Sequence, residues 1–181
     1  MTGSLIVINP NSSETVTQGI DAAVEPLRRF GVPIRCLTLA EGPPGIESQL
    51  QADLESAVMT ALTLGQRFGV IAILPGSIPR HLRAFGSMGV LDRLAGDRAL
   101  GLGVGDLADP GKSLAAMIAT GKRLRDEDGA DVLIMGCAGM AQYRATLEAE
   151  TGLAVVEPCQ AAAATALGRI ALRQSHRRVE T

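Results

Sequence analysis

Six short apolar runs alternate with helical patterns along this chain, and that alternation constrains its fold more than any other feature. The runs are rich in β-branched residues and apolar at consecutive positions, which is typical of strands buried on both faces. Because helices separate them, we predict parallel sheets flanked by helices, an α/β fold. The predicted strands are Leu5–Ile8, Ile34–Leu39, Val70–Leu74, Ala99–Val104, Val132–Met135 and Ala154–Val156.

The composition excludes several kinds of partner. The 17 Lys and Arg against 19 Asp and Glu give a net charge of −2, so nothing attracts nucleic acid or anionic lipid in general. Only 2% of the residues are aromatic, which leaves few rings on which bases could stack. No stretch approaches the roughly 20 apolar residues of a membrane helix. We predict a soluble protein with neither nucleic acid nor a membrane as partner.

The cysteines and histidines argue against structural cross-links. Cys36, Cys137 and Cys159 are odd in number and irregularly spaced, so neither a disulfide framework nor a metal site is predicted. His81 and His176 lack companions at metal-ligand spacing. A reducing, cytoplasmic location fits this cysteine usage.

Polar residues next to prolines mark the predicted helix starts. Asn11 and Glu14 have the spacing of a capping pair. Asp109 before Pro110 predicts an N-cap followed by a proline in the first turn, and Ser77 before Pro79 predicts another.

A strand, a polar turn with proline and a helix occur in this order twice, at Asn9–Ser12 and at Pro75–Ser77. This weak internal echo predicts two related α/β lobes, which the family resemblance given below implies to be pseudosymmetric. The first lobe would comprise residues 1–54 plus 153–181, and the second residues 55–152. The apolar stretch Gln160–Leu172 fits an interface of a homo-oligomer as well as a helix that faces the core.

Ligands of open parallel sheets bind beyond the carboxyl ends of the strands. One turn at the carboxyl end of a predicted strand, Gly136–Gly139, places Cys137 between small residues. Free N–H groups and the positive end of a helix beginning near Met140 would lower the pKa of the thiol below about 8.5 and favour the thiolate. A small buried cysteine in a glycine-rich turn is the equally weighted alternative.

Four segments give the chain a resemblance to the Asp/Glu/hydantoin racemase family. They occur in the family's order and together span nearly the whole chain. They are Ile8–Ser12, Gly42–Ser48, Gly129–Asp131 through Gly136–Met140, and Glu157-Pro158.

The resemblance implies a cofactor-independent enzyme with a small carboxylate or hydantoin-like substrate held between two lobes. One cysteine thiolate would remove the proton from the stereogenic carbon, and a thiol in the opposite lobe would protonate the other face. Cys137 matches the thiol of the second lobe. The predicted substrate contacts are Asn9, Asn11, Ser77, Gly136, Ala138, Gly139 and Glu157.

Some of these contacts have structural alternatives. Helix capping would account for Asn11 and for Ser77 without any ligand, so Asn9 is the preferred ligand contact of the first turn. Glu157 is favourably placed at a helix N-terminus and would border the site.

The sequence departs from the family where the first-lobe cysteine should lie. A strand, a turn with cysteine and a helix are expected between Ser48 and Ala57, but Gln49–Glu55 runs straight on. Cys36 lies inside a predicted strand, and Cys159 on the last helix, so neither is expected to replace it. Either the protein lacks this unit, or the expressed protein contains a stretch that the printed sequence omits. The second explanation is favoured because losing a parallel strand and its crossover helix exposes an edge and two faces.

Three functions follow from these observations. The first is a racemase or epimerase of an amino acid, hydantoin or related carbon acid. The second is a single-thiol decarboxylase or isomerase similar to arylmalonate decarboxylases, in which one cysteine protonates the carbanion left by carbon dioxide. The third is a degenerate, non-catalytic member of the family.

Overall fold

The computed structural model describes residues 4–42, 51–102 and 109–174. The strands are β1 (Leu5–Asn9), β2 (Ile34–Thr38), β3 (Phe68–Ala72), β4 (Leu94–Ala99), β5 (Val132–Met135) and β6 (Ala154–Val156). The helices are α1 (Glu14–Val24), α2 (Gln51–Leu64), α3 (Ile78–Met88), α4 (Pro110–Asp126), α5 (Arg144–Thr151) and α6 (Pro158–Ala171). The described helices include none long and apolar enough to cross a membrane.

The strands form two parallel sheets. One pairs β1 with β2, with Leu5 opposite Ile34 and Asn9 opposite Thr38. The other has four strands in the order β4-β3-β5-β6, and each of its pairings is parallel. The predicted α/β class with helix-flanked parallel sheets is confirmed.

Two predicted strands are displaced in the structure. The run Val70–Leu74 belongs to a strand that starts and ends two residues earlier, at Phe68–Ala72. The prediction Ala99–Val104 is wrong for its described part, because β4 is Leu94–Ala99 and precedes it. β4 lies at the sheet's edge and carries Asp97 and Arg98, whose charges conceal its strand character from a search for apolar runs.

Both faces of the four-stranded sheet are buried. On one face Phe68, Val70 and Ile134 pack with α2 residues such as Val58, and with Phe85 of α3. Ile71, Leu133 and Met135 lie on the opposite face with residues of α4 and α5, among them Met117 and Leu147. This packing produces the continuous apolar runs of β3 and β5.

Among the described residues, the two-stranded sheet is covered on one face. Ile34 packs with Val24 of α1 and Leu167 of α6. On the other face the side chains of Ile6 and Ile8 are 51% and 60% exposed, and Leu37 and Leu39 of the neighbouring chain segment are exposed too. The prediction that every strand is buried on both faces is therefore wrong for β1 and β2.

The helix caps agree in part with the sequence. Asp109 caps α4 and accepts hydrogen bonds from the backbone N–H groups of Gly111 and Lys112, as predicted. Ser13, and not the pair Asn11 and Glu14, caps α1 by accepting from the Val16 N–H. The predicted capping pair is wrong because the helix begins at Glu14 itself.

The two sheets are joined by α6, which contacts β1, α1 and α2. β6 pairs with β5 of the four-stranded sheet, whereas α6, which follows it, packs on the two-stranded sheet. The chain thus passes from the four-stranded sheet to the two-stranded sheet near Glu157, four residues after the predicted boundary at 152/153. The division into two pseudosymmetric lobes stays a prediction.

Candidate functional site

The carboxyl edge of the four-stranded sheet gathers the ends of β3, β5 and β6. The segments that leave this edge begin with Ile73, Gly136 and Glu157. Gly136 lies so close to β3 that an added Cβ would be 2.6 Å from the Ile71 carbonyl oxygen. Its own N–H donates to that oxygen at 2.9 Å, so Gly136 joins the strands rather than offering its N–H to a ligand.

Cys137 is the first residue after the contact between Gly136 and β3. It is half-buried and packs beside the core that contains Met135 and Met140. A 3₁₀ segment, Ala138–Tyr143, starts directly after it and leads into α5. The expected helix near Met140 is therefore a 3₁₀ segment, and its first two residues are Ala138 and Gly139.

Ser77 lies at the start of α3, beyond the end of β3. Its side chain makes no capping hydrogen bond, so the alternative reading of Ser77 as a side-chain cap is wrong. The hydroxyl oxygen instead accepts a long hydrogen bond of 3.4 Å from Nη2 of Arg80.

Glu157 lies on the β6 side of the same edge and is 1% exposed. Its carboxylate caps α6 by accepting from the backbone N–H groups of Cys159 at 3.1 Å and Gln160 at 2.6 Å. The predicted favourable position at a helix N-terminus is confirmed.

Asn9 and Asn11 take different positions at the edge of the two-stranded sheet. Asn9 is 2% exposed, and its Nδ2 donates to Asn11 Oδ1, Ser13 O and Thr17 Oγ1 at 2.9, 3.1 and 2.9 Å. Asn11 is half-buried, and its Oδ1 also accepts from the Ser13 N–H. The Asn11 Nδ2 group makes no hydrogen bond within the described residues and is the amide open to a ligand.

Two contacts connect the turn after β1 to the rest of the edge. Gly42 packs so closely that an added Cβ would lie 2.4 Å from the Pro10 carbonyl oxygen, which explains the glycine there. The 3₁₀ segment after Cys137 packs against α1, the helix that follows this turn. The rest of the Gly42–Ser48 motif lies outside the described residues.

Cys36 lies in β2 above a shallow cavity of about 290 Å³ lined by α1 residues including Thr17 and Asp21. Burial and a hydrogen bond to the Asp21 carboxylate raise the pKa of the Cys36 thiol to about 11. A hydrogen bond from Arg28 holds the pKa of Asp21 below its usual value. Cys36 is therefore a protonated thiol at neutral pH.

Sequence reasoning missed one buried polar pair. Nδ1 of His81 in α3 lies 2.7 Å from Oδ2 of Asp97 in β4, and both side chains are almost fully buried. His81 Nε2 and Asp97 Oδ1 have no partner in the described residues. The charged residues of the run Leu94–Ala99 were the available signal, but nothing in the sequence pairs this edge strand with α3.

A family model described as Asp/Glu/Hydantoin racemase matches residues 53–166, more than half of the chain. The chain belongs to this family. The predicted recognition is confirmed, and so is the predicted enzyme class, an isomerase of the racemase type.

Curated relatives agree with this membership, and a solved structure has a similar fold. Hydantoin racemase of Pseudomonas sp. (strain NS671) is 27% identical, over 83% of this chain and 79% of the relative. Hydantoin racemase of Paenarthrobacter aurescens is 24% identical, over 93% of this chain and 91% of the relative. The fold is similar to allantoin racemase from Pseudomonas fluorescens, with a TM-score of 0.86 at 22% identity, covering 98% of this chain and 95% of that one.

Both curated relatives contain residues that this chain lacks. The Pseudomonas alignment spans 197 positions, but 83% of the 181 residues is about 150, so about 47 positions face no residue of this chain. The same comparison with the Paenarthrobacter protein, over 216 positions, leaves about 48. This difference exceeds the roughly 30 residues of a strand–helix–strand unit. A difference of this size has room for the strand and helix expected between Ser48 and Ala57, whose absence from the protein stays a prediction.

Proposed function

We propose that this protein racemises or epimerises a small carbon acid, such as an amino acid or a hydantoin, without a cofactor and with Cys137 as the acid/base. The supporting observation is the position of the thiol. Cys137 is half-buried at the carboxyl edge of the sheet, directly beyond the close contact between β3 and β5. Of the other cysteines, Cys159 is buried, and Cys36 lies within a strand and has a thiol whose pKa is raised.

In the proposed reaction the Cys137 thiolate takes the proton from a carbon next to a carbonyl. The negative charge then moves onto the carbonyl oxygen, and hydrogen-bond donors stabilise it. The donors we assign are the Asn11 amide, the Ser77 hydroxyl and the backbone N–H groups of Ala138 and Gly139. Inversion also needs a proton on the opposite face, and since no second side chain is assigned there, we propose that a water molecule supplies it while the abstracted proton stays on Cys137 until solvent removes it.

The remaining predicted contacts take a supporting role in this proposal. The Asn9 amide holds Asn11 and α1 in place through its three hydrogen bonds. Gly136 fixes the approach of β5 to β3, and Glu157 fixes the start of α6.

Loss of solvent exchange tests the role of Cys137. We expect Cys137→Ala to slow deuterium incorporation at the stereocentre of a 5-substituted hydantoin in D₂O by at least about 10²-fold, as removal of an acid/base group does. Cys36→Ala is the matched control and should exchange at the unmodified rate. Proton NMR measures both, and equal exchange by the wild type and Cys137→Ala would exclude the mechanism.

A second candidate is a decarboxylase with one thiol. It is favoured by the lack of a second cysteine at the edge of the two-stranded sheet within the described residues. Release of carbon dioxide from a disubstituted malonate would support it, whereas a racemase releases none. Neither exchange nor carbon dioxide would leave the non-catalytic alternative.

We also propose a cytoplasmic location, which the odd number and irregular spacing of the three cysteines support. Self-association remains part of the proposal. However, the buried α6 residues, among them Ala161, Ala163 and Leu167, support the core-facing role of this helix.

A further inference from the structure

We propose that Arg80, together with Ser77, receives an anionic group of the substrate, so that the preferred substrate is a carbon acid that carries a carboxylate. The inference rests on the proposed function and names its substrate class. Arg80 belongs to neither the resemblance nor the predicted set of contacts.

Arg80 lies in the first turn of α3, at the edge of the sheet that carries Cys137. The chain leaves β3 at Ala72, passes through a 3₁₀ turn that ends at Ser77, and enters α3 at Ile78. β3 pairs directly with β5, which ends two residues before Cys137. The loop after β3 and the turn holding Cys137 are therefore neighbours at one edge.

The Arg80 side chain reaches back toward this edge. Side chains of an α-helix lean toward its N-terminus, and Arg80 follows this rule because Nη2 donates to Ser77 Oγ. At 3.4 Å this bond is long for a guanidinium donor, so it aligns the two side chains and leaves both able to make further hydrogen bonds. The other guanidinium N–H groups remain available to an acceptor.

The positive charge of Arg80 has no counterion in the described residues. Every other half-buried arginine there donates to a carboxylate or a carbonyl oxygen: Arg28 to Asp21, Arg93 to Gln66, Arg98 to Asp128, Arg125 to Asp126 and Arg144 to Glu148. Within the described ranges the Arg80 guanidinium donates only to a neutral hydroxyl, and the first turn of α3 holds no acidic residue. A half-buried guanidinium without an anion is unfavourable, and a bound carboxylate would remove this cost.

The test compares two ligands that differ in charge and hardly in shape, hydantoin-5-acetate and hydantoin-5-acetamide. We expect the wild type to bind the acetate about ten- to a hundredfold more tightly, the range for a hydrogen bond to a charged group. Arg80→Gln should abolish this preference, and Arg80→Lys should retain part of it. Arg83→Gln is the matched control, because Arg83 is exposed on the same helix.

Calorimetry gives both dissociation constants without turnover. A wild type that binds the two ligands equally, or binds neither, overturns the proposal, and so does an undiminished preference in Arg80→Gln. Exchange kinetics on the same ligands should place the Arg80→Gln effect in KM. If binding shows the preference but no exchange occurs, the racemase proposal fails while the assignment of Arg80 stands.

Discussion

Replacing Asn9 by aspartate tests the hydrogen-bond network that supports the candidate site. The substitution keeps the shape of the side chain but exchanges the donating Nδ2 for an oxygen. That atom faces Asn11 Oδ1, Ser13 O and Thr17 Oγ1 at 3.1 Å or less. Three donor contacts are lost, and two of them become contacts between obligate acceptors.

The expected loss of stability follows from these contacts. Each intramolecular hydrogen bond contributes about 1 kcal/mol net, and since the two N–H groups of the amide share these three contacts, their loss amounts to about 2 kcal/mol. A buried carboxylate whose second oxygen faces two acceptors adds at least about 1 kcal/mol, which makes about 3 kcal/mol a lower bound for the loss at pH 7. With an m-value of about 2 kcal/mol/M, the urea midpoint should fall by at least about 1.5 M.

Asn11→Asp is the matched control in the same turn. Its Oδ1 remains to accept from Asn9 and Ser13, and the lost Nδ2 has no partner in the described residues. We expect its urea midpoint to stay within about 0.3 M of the wild type, with an impaired KM. Urea unfolding followed by circular dichroism measures both variants. Equal midpoints for Asn9→Asp and the wild type would refute the structural role of Asn9.

Two further predictions concern thiol reactivity and sheet packing. At pH 7.5 iodoacetamide should modify Cys137 but hardly Cys36, because a pKa of about 11 leaves less than about 0.1% of the Cys36 thiol ionised. Alkylation of Cys36 should rise steeply as the pH approaches 11. Peptide mass spectrometry identifies the modified cysteine. Ile34→Ala should cost about 2–4 kcal/mol of unfolding free energy and Ile8→Ala less than about 1 kcal/mol, since Ile34 is 6% and Ile8 60% exposed; equal losses in urea unfolding would show that the second face of the sheet is covered.

Buried strands were predictable from the sequence, whereas the edge strand was not. Val132–Met135 and Ala154–Val156 match the observed strands because both faces of each strand are packed. β4 was not predicted because the partners of its charged residues lie in other elements: Asp97 lies within hydrogen-bond distance of His81, and Arg98 donates to Asp128. Such partners are brought together only by the fold, so a local apolar pattern does not reveal them.

The location of the candidate site was also predictable, but the roles within it were not. The rule that ligands bind beyond parallel strand ends led to Cys137, Ser77 and the turn after β1. The sequence favoured Asn9 over Asn11 as the ligand contact, yet the Asn9 amide is the one consumed by internal hydrogen bonds. Which of two nearby asparagines faces inward depends on where α1 begins, and the capping residue proved to be Ser13.

In the part of the chain that the structure describes, one face of the two-stranded sheet is exposed and no second cysteine lies at its carboxyl edge. Both features have one origin if about 47 positions of the relatives formed a strand and a helix of the first lobe. A strand would pair with the free edge of β1, and a helix would cover Ile6 and Ile8.

Without this strand and helix, Cys137 is the one assigned acid/base and lies on one side of the stereocentre. A single group returns the proton to the face from which it was taken, so deuterium should enter one enantiomer with retention, faster than that enantiomer racemises. Equal rates of exchange and racemisation, measured by NMR and chiral chromatography, would require a second proton donor opposite Cys137.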